Sequence, residues 1–164
     1  MKHSLITLFA TCVFVTLCSS QTIDEPKFNA LSFELGKTGI IYNLSFDHKL
    51  AAKNFGFRFS VGSNLAKYLN AISFGGGGYH LVGSTTHFLE LGLDLQYLIV
   101  DEASDDQKGF AFVYPDYSSK TLFPSLNLGY RVYGKNTLFR IGFSPALIKS
   151  KIFPGGYIGY GFTF

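Results

Sequence analysis

The chain has 164 residues, of which 47% are hydrophobic, 17% aromatic and only 15% charged, with 18 glycines and a formal net charge of +3. This length corresponds to one domain. So many glycines and aromatic residues with so little charge exclude a coiled coil, a disordered tail and a helical bundle rich in Ala, Leu and Glu. The composition favours β-structure, and no cluster of Lys and Arg indicates a nucleic-acid site.

Residues 1–20 are typical of a secretory signal peptide. A basic start at Lys2 is followed by an apolar stretch over residues 5–17 and by small residues before Gln21. The apolar stretch is too short for an ordinary membrane-spanning helix, although an uncleaved anchor is the alternative. We expect cleavage near residue 20, which leaves residues 21–28 as a short periplasmic segment.

Both cysteines, Cys12 and Cys18, precede the expected cleavage point. The mature chain therefore has no thiol for a disulfide, a zinc site or a cysteine nucleophile.

From residue 29 onward, apolar residues recur at every second position. In residues 89–99, Leu, Tyr and Ile alternate with Glu90, Gly92, Asp94 and Gln96. A period of two is that of a β-strand, and no helical period follows the signal peptide. The pattern predicts eight strands, near residues 30–36, 39–50, 54–63, 70–83, 87–101, 121–134, 137–148 and 155–164.

The apolar positions change phase at residues 36–39. Leu31 and Phe33 are apolar at odd positions, whereas Ile40 and Tyr42 are apolar at even ones. The chain must turn or bulge between them. We interpret the change as a tight hairpin, and the alternative is one bulged strand with residues 110–114 as the eighth. An even strand number suits a closed antiparallel barrel.

The predicted connections differ in length on the two sides of the barrel. Short polar turns follow three strands, near residues 50–54, 84–86 and 134–136. Longer stretches, at 62–70, 102–120 and 149–154, would lie on the other side. Short turns on one rim and longer loops on the other are typical of outer-membrane barrels.

The polar face of the predicted strands carries charges of both signs, including every arginine of the chain. Its members are Glu34, Asn43, Asp47, Arg58, Glu90, Asp94, Gln96, Asn127, Arg131 and Arg140. Opposite charges can neutralise each other in a narrow lumen, and the bulky apolar face suits contact with lipid. Alternation alone leaves a soluble lipocalin-like barrel as an alternative.

We expect the charged side chains of this face to form a buried salt-bridge network that fills the lumen, because eight strands enclose little space. A narrow ion path is the alternative. The predicted network consists of Asp47, Arg58, Glu90, Asp94, Arg131 and Arg140.

The last strand ends in a spaced motif of four residues: Tyr157, Gly159, Phe162 and Phe164. The motif resembles the C-terminal β-signal of outer-membrane proteins. The resemblance implies that the barrel assembly machinery reads these four positions during biogenesis.

In pattern, residues 29–164 resemble the small eight-stranded outer-membrane barrels of the OmpA, OmpX and OmpW type, and residues 34–46 and 88–93 look like segments of small barrel proteins of gram-negative bacteria. The resemblance implies an all-β, antiparallel up-and-down transmembrane β-barrel in the bacterial outer membrane. It implies outer-membrane lipid and lipopolysaccharide as surroundings. We expect a monomer, and the resemblance implies no activity.

The histidines at the predicted short turns, His48, His80 and His87, are candidates for catalysis because some small barrels modify lipid A. The deacylase family uses a His-x-Ser-Asn motif, which this sequence lacks. We interpret these residues as interfacial polar side chains, with a lipid A-modifying enzyme (an acyl hydrolase or transferase) as the alternative. We expect no catalytic residue, cofactor or metal.

Three further features have structural interpretations. The run Gly75–Gly78 lacks the Lys-Ser/Thr and helix of a phosphate-binding loop, and in a strand it would allow close approach of a neighbour. The acidic residues of 101–106 lack the EF-hand pattern. The apolar run 110–114 in the long loop favours adhesion or partner binding. The sequence thus predicts a structural or surface-interaction role.

Overall fold

The computed structural model describes residues 29–50, 54–65, 71–100, 120–148 and 150–164. The expected signal peptide, the segment 21–28 and the loop features at 101–106 and 110–114 lie outside the described residues. Over the described ranges, no helix is both long and apolar enough to cross a membrane.

The described part of the chain forms ten β-strands. They are β1 (Asn29–Leu35), β2 (Tyr42–Lys49), β3 (Phe55–Ser63), β4 (Ala71–Ser84), β5 (His87–Val100), β6 (Lys120–Tyr133), β7 (Thr137–Phe143), β8 (Ala146–Ile148), β9 (Lys151–Phe153) and β10 (Gly156–Thr163).

The strands close into an antiparallel barrel. The sheet runs in the order β5-β4-β3-β2-β1-β10-β7-β6, and β5 pairs with β6 to close the ring. β7 and β8 are successive pieces of one wall strand, because β6 pairs with both, and β9 leads into β10. In the described ranges the wall therefore has eight strands, as the alternation predicts.

The phase change at residues 36–39 is a hairpin. β1 pairs with β2 along its whole length, from Asn29 opposite His48 to Leu35 opposite Tyr42. The alternative of one bulged strand is wrong. The predicted start of the second strand at residue 39 is also wrong, since the turn continues to residue 41. Positive φ angles at Gly36 (83°) and Gly39 (81°) bend the backbone there.

The wall strand predicted over 137–148 is interrupted. Pro145 provides no N–H for the ladder, and it separates β7 from β8. The predicted loop at 149–154 is also shorter than expected, because residues 151–153 form β9 and pair with β8. This short hairpin lies beside the mouth end of β6, which pairs with β8 at Ser125.

The two faces of the wall have opposite character. In β5, Leu89, Leu91 and Leu93 are 61%, 54% and 58% exposed, whereas Glu90 and Asp94 are 3% and 2% exposed. Every member of the predicted polar face is buried inside the barrel. The molecule thus buries charge and exposes apolar side chains, which defines an outer apolar belt of alternate residues around the wall.

Ile40 departs from this pattern. The phase of the sequence predicts it on the outer face with Tyr42, but it is only 1% exposed and packs inside the barrel. The reason is that residues 37–40 belong to the turn, all buried, and not to β2.

The two rims have different connections. We call the rim with the short turns β2–β3, β4–β5 and β6–β7 the base, and it also carries Asn29 and Phe164, whose backbones exchange hydrogen bonds of 3.0 and 3.2 Å. We call the opposite rim the mouth. It carries the turn of residues 36–41 and the β8–β9 hairpin.

Candidate functional site

Eight charged side chains occupy the lumen of the barrel. Strand pleating directs seven of them inward, and the eighth comes from the turn at the mouth. Each is 3% exposed or less. We call them the lumenal cluster, and in the described residues it comprises Glu34, Lys37, Asp47, Arg58, Glu90, Asp94, Arg131 and Arg140. Its four cations match its four carboxylates, so the buried charge is balanced.

Glu90 on β5 is the centre of the cluster, because three guanidinium groups contact its carboxylate. Arg58 donates from Nη2 to Oε1 at 2.5 Å, and Arg140 donates from Nη2 to the same oxygen at 2.8 Å. Arg131 donates to Oε2 from Nη2 at 2.6 Å and from Nε at 2.9 Å. One carboxylate therefore joins β3, β6 and β7 across the lumen.

Asp47 on β2 supports the same three arginines from another side. Arg58 donates from Nε to Asp47 Oδ1 at 2.7 Å. Arg131 and Arg140 each lie 3.7 Å from Asp47 Oδ2. The arginines thus lie between two carboxylates: Asp47 accepts a hydrogen bond from Arg58 and compensates the charge of Arg131 and Arg140.

The upper part of the cluster centres on Lys37, which lies in the turn after β1 and is not among the predicted network residues. Its Nζ lies 3.1 Å from Asp94 Oδ2 and 3.6 Å from Glu34 Oε2. Glu34 also accepts a hydrogen bond from Arg140 Nη1. Lys37 connects the mouth turn to the arginine network below, and Asp94 lies 3.7 Å from Arg58 Nη1.

The infolded turn is itself held in place by hydrogen bonds. Thr38 N donates to Ser144 Oγ at 3.1 Å, and Ile41 N donates to Asn64 Oδ1 at 2.9 Å. In the sequence, the glycines at a phase change indicate a turn but not its direction. Its inward position is shown by the buried side chains of Lys37 and Ile40.

Two buried tyrosines line the arginines. The guanidinium carbon of Arg131 lies 4.4 Å from the centre of the Tyr79 ring, and that of Arg140 lies 5.1 Å from the centre of the Tyr157 ring. These contacts are within cation–π range. The aromatic faces therefore cover guanidinium surfaces that the carboxylates leave uncovered.

The run Gly75–Gly78 lies within β4, and its inward-facing glycines make room inside the barrel. A Cβ on Gly77 would lie 2.6 Å from Asp94 Cα, and one on Gly75 would lie 2.5 Å from Gln96 Cδ. These inward glycines leave space for the lumenal side chains. Gly78 points outward, where the nearest atom to an added Cβ is 3.8 Å away. The run is a packing device and not a phosphate-binding loop.

Apolar side chains close both ends of the lumen. The mouth cluster consists of Ile40, Ala71, Leu98, Val100, Phe123, Ala146 and Ile148, with Phe153 against it. The base cluster consists of Tyr79, Leu81 and Phe88, with Tyr133 against it. The lumenal cluster lies between these two layers, which separate it from solvent at the rims.

The three histidines lie on the base side of the wall and contact no carboxylate in the described residues. His48 Nδ1 is 2.8 Å from Asn29 Oδ1, and His87 Nδ1 is 2.7 Å from the Tyr130 hydroxyl. The His80 ring packs on Phe55 with ring centres 4.6 Å apart. The described histidines thus form no catalytic arrangement with an acidic partner.

The C-terminal motif divides between the two faces. Tyr157 is buried in the lumen, and Gly159 packs against Glu34, to whose Cγ an added Cβ would approach within 2.8 Å. Phe162 and Phe164 are 63% and 61% exposed on the outer belt. All four residues belong to or follow β10, which closes the barrel against β1.

In the lumenal cluster, the carboxylates and the cations neutralise each other, and none of these groups is open to solvent. In the described ranges, no group of three or more His, Cys, Asp or Glu side chains is placed to hold a metal ion. Each lumenal carboxylate lies against at least one arginine or lysine. Chemically, the site can cross-link the wall strands from within.

No protein-family model and no curated protein matches the sequence. Solved structures do match. The N-terminal β-barrel domain of Pseudomonas aeruginosa OprF is similar with a TM-score of 0.65 and 14% identity, over 85% of this chain and 100% of that one. The Yersinia pestis outer membrane protein Ail, in a phospholipid bilayer nanodisc, is similar with a TM-score of 0.50 and 10% identity, over 85% and 100%.

These similarities are at the level of fold. The chain has the fold of the small eight-stranded outer-membrane β-barrels, as the sequence predicts.

Proposed function

We propose that this protein is an integral outer-membrane β-barrel with a structural or surface-interaction role, no catalytic activity and a lumen filled by side chains. The observation that carries the proposal is the inverted burial: the lumenal cluster is inside, and the apolar belt is outside. Soluble monomers rarely expose apolar patches beyond a few hundred Å². A hydrocarbon surrounding stabilises such a belt, whereas water does not.

The closed lumen supports a role without transport. A conducting pore needs a continuous polar path, but apolar layers lie at both ends of the lumenal cluster. A soluble ligand-binding barrel would instead need a cavity inside, where this chain places balanced charges. We therefore expect the interior to stabilise the barrel and the rims to contact other molecules.

Biogenesis is part of the proposal. Residues 1–20 direct export as a cleaved signal peptide, and the barrel assembly machinery reads Tyr157, Gly159, Phe162 and Phe164. The exposed rings of Phe162 and Phe164 support a recognition role, because they lie on the outer face at the strand that closes the barrel. The folded protein is a monomer surrounded by outer-membrane lipid and lipopolysaccharide.

The test is whether the mature protein is a detergent-stable membrane barrel. We expect it to fractionate with the outer membrane and to migrate differently on a gel before and after boiling. In planar bilayers the folded protein should give no steady conductance, and its expression should leave the lipid A mass spectrum unchanged. A protein soluble in the periplasm without detergent contradicts the membrane proposal, and altered lipid A contradicts the non-catalytic one.

A further inference from the structure

A groove crosses the outer face of the barrel over β5, β6, β7 and β10. Its volume is about 800 Å³, within the range of about 300–1,000 Å³ that is typical of small-molecule sites. Two rows of outward side chains form its walls. Leu89, Tyr130 and Ile141 are paired neighbours in one row, and the other row is Leu91, Leu128, Phe143 and Gly156.

Three glycines line the groove. Gly129 and Gly142 are paired between the two rows, and their backbone forms part of its floor. An added Cβ on either would point into the lumen and meet the Tyr157 hydroxyl, at 2.9 Å in the case of Gly142. Gly156 leaves the groove open at one end, because an added Cβ there would meet only the Gly142 carbonyl oxygen at 3.6 Å. The walls are apolar and outward-facing, so the groove is continuous with the apolar belt that faces hydrocarbon.

A polar pair lies beside the groove on its base side. Tyr130 lines the groove, and its hydroxyl is 2.7 Å from Nδ1 of His87, which lies one row closer to the base. The two rings stack with centres 5.9 Å apart. Both residues are exposed on the outer face.

This pair always keeps a hydrogen-bond donor for a ligand. If the Tyr130 hydroxyl donates to Nδ1, the imidazole retains its Nε2–H. If Nδ1–H donates to the tyrosine oxygen, the hydroxyl retains its own proton. Either arrangement offers a donor to a phosphate oxygen, and a protonated imidazole would offer two donors and a positive charge.

We propose that the groove and the His87–Tyr130 pair form a binding site for one phospholipid of the leaflet at the base rim, with an acyl chain in the groove and the phosphate at the pair. The occupant is a lipid because the groove opens onto the lipid-facing belt. It is a phospholipid because the pair supplies hydrogen-bond donors and the phosphate oxygens of the headgroup accept them. The inference rests on the proposed membrane location.

Native mass spectrometry of the folded protein in detergent tests the site with palmitoyl-oleoyl phosphatidylglycerol as the probe. We expect one bound molecule to be retained. Diacylglycerol with the same chains lacks the phosphate, and we expect it to bind about tenfold more weakly, since hydrogen bonds to charged groups have about this effect. Equal binding of the two lipids overturns the assignment of the headgroup site.

The groove offers a matched pair of variants. Gly156→Leu places a side chain in the groove and should reduce phosphatidylglycerol binding at least tenfold. Gly78→Leu adds the same side chain at another open, outward glycine, with its nearest atom 3.8 Å from an added Cβ, and should bind lipid like the parent. Val82 of β4 also lines the groove beside Leu89, so Val82→Phe fills the groove if Gly156→Leu does not fold. Unchanged binding in a folded groove variant overturns the proposal.

The headgroup contact has its own variant. Replacing both His87 and Tyr130 with Phe retains the stacked rings and removes the donors, so phosphatidylglycerol and diacylglycerol should then bind equally. Persistent preference for the phosphate overturns this contact. Each variant is first checked for the gel shift on boiling. A parent protein without the shift counts against the membrane barrel, whereas a folded barrel without bound lipid counts against the site alone.

Discussion

Lys37 Nζ lies 3.1 Å from Asp94 Oδ2, so a lysine in the turn after β1 forms an ion pair with the interior of β5. The partners come from opposite walls of the barrel, and both are 2% exposed or less. This pair fixes the turn of residues 36–41 inside the mouth, where Ile40 joins the mouth cluster. The closure of the lumen therefore depends on a buried charge as well as on apolar packing.

Replacing Lys37 with Met should destabilise the barrel strongly. The hydrocarbon stem is retained, but Asp94 and Glu34 lose a buried cation. Removing one partner of a buried ion pair costs about 3–5 kcal/mol. Urea unfolding in detergent, followed by far-ultraviolet circular dichroism, measures the free energy of unfolding.

Lys135→Met is the control for this variant, because Lys135 is exposed in the β6–β7 turn at the base. Lys135→Met should change the free energy of unfolding by no more than about 0.5 kcal/mol. Similar losses for the two lysines would show that Lys37 has no special structural role.

Glu90→Gln should be the most damaging single change to a lumenal carboxylate. Glu90 contacts three arginines, at 2.5, 2.6 and 2.8 Å, and we expect a loss of at least about 3–5 kcal/mol. Among the lumenal cations, Asp94→Asn affects Lys37 and Arg58, at 3.1 and 3.7 Å, so it should lower the free energy of unfolding by less.

The same two variants report on transport. Their folded fractions should give no steady conductance in planar bilayers, because the mouth and base clusters remain. A smaller loss for Glu90→Gln than for Asp94→Asn contradicts the central position of Glu90, and steady conductance contradicts the closed lumen.

Gly77→Ala and Gly78→Ala should have opposite outcomes although the positions are adjacent. A Cβ on Gly77 would lie 2.6 Å from Asp94 Cα and would also meet the Leu93 carbonyl, whereas one on Gly78 has its nearest atom at 3.8 Å. We expect Gly77→Ala to cost about 1–3 kcal/mol by overpacking.

Gly78→Ala should be neutral or stabilising by up to about 1 kcal/mol, since alanine restricts the unfolded chain more than glycine does. Measuring the free energies of unfolding of the two alanine variants under the same conditions tests this prediction. Equal effects would mean that the glycines do not divide between the two faces in the assembled barrel.

Phe164→Ser should separate assembly from stability. The Phe164 side chain is 61% exposed. The backbone of Phe164 exchanges hydrogen bonds with the backbone of Asn29, and a serine can make the same bonds. We therefore expect refolding into detergent to yield a barrel with the parent's gel shift, while the amount of folded protein in the outer membrane of cells falls severalfold.

Phe143→Ser is the matched control, since Phe143 is 69% exposed on the outer belt outside the C-terminal motif. The amount of folded Phe143→Ser protein in the outer membrane should fall less than the amount of Phe164→Ser protein. If the two serine variants accumulate equally in the outer membrane, Phe164 carries no assembly signal.

The alternation of the sequence was sufficient to predict the two faces of the barrel. Residues two apart on a strand share a face, which is a local property of an extended backbone. It correctly predicts that Arg58, Glu90 and Arg131 face inward and that Leu89 and Leu91 face outward. It failed at Ile40 because the period of two has no meaning inside a turn.

The partners within the lumen could not be predicted in this way. Glu34 and Arg140 are separated by 106 positions, and only the closure of β10 against β1 and β7 brings them together. The role of Gly75–Gly78 was equally hidden, since four identical residues carry no phase, and the register of β4 against β5 determines which two face Asp94 and Gln96.

By itself, then, the sequence determined the strand period, the strand number and the segregation of charge from apolar side chains, because these depend on neighbours along the chain. The tertiary structure decided that Lys37 enters the lumen, that Glu90 joins three arginines and that apolar layers close both ends. Those outcomes depend on strand register and barrel closure, which bring distant residues within reach of short-range forces.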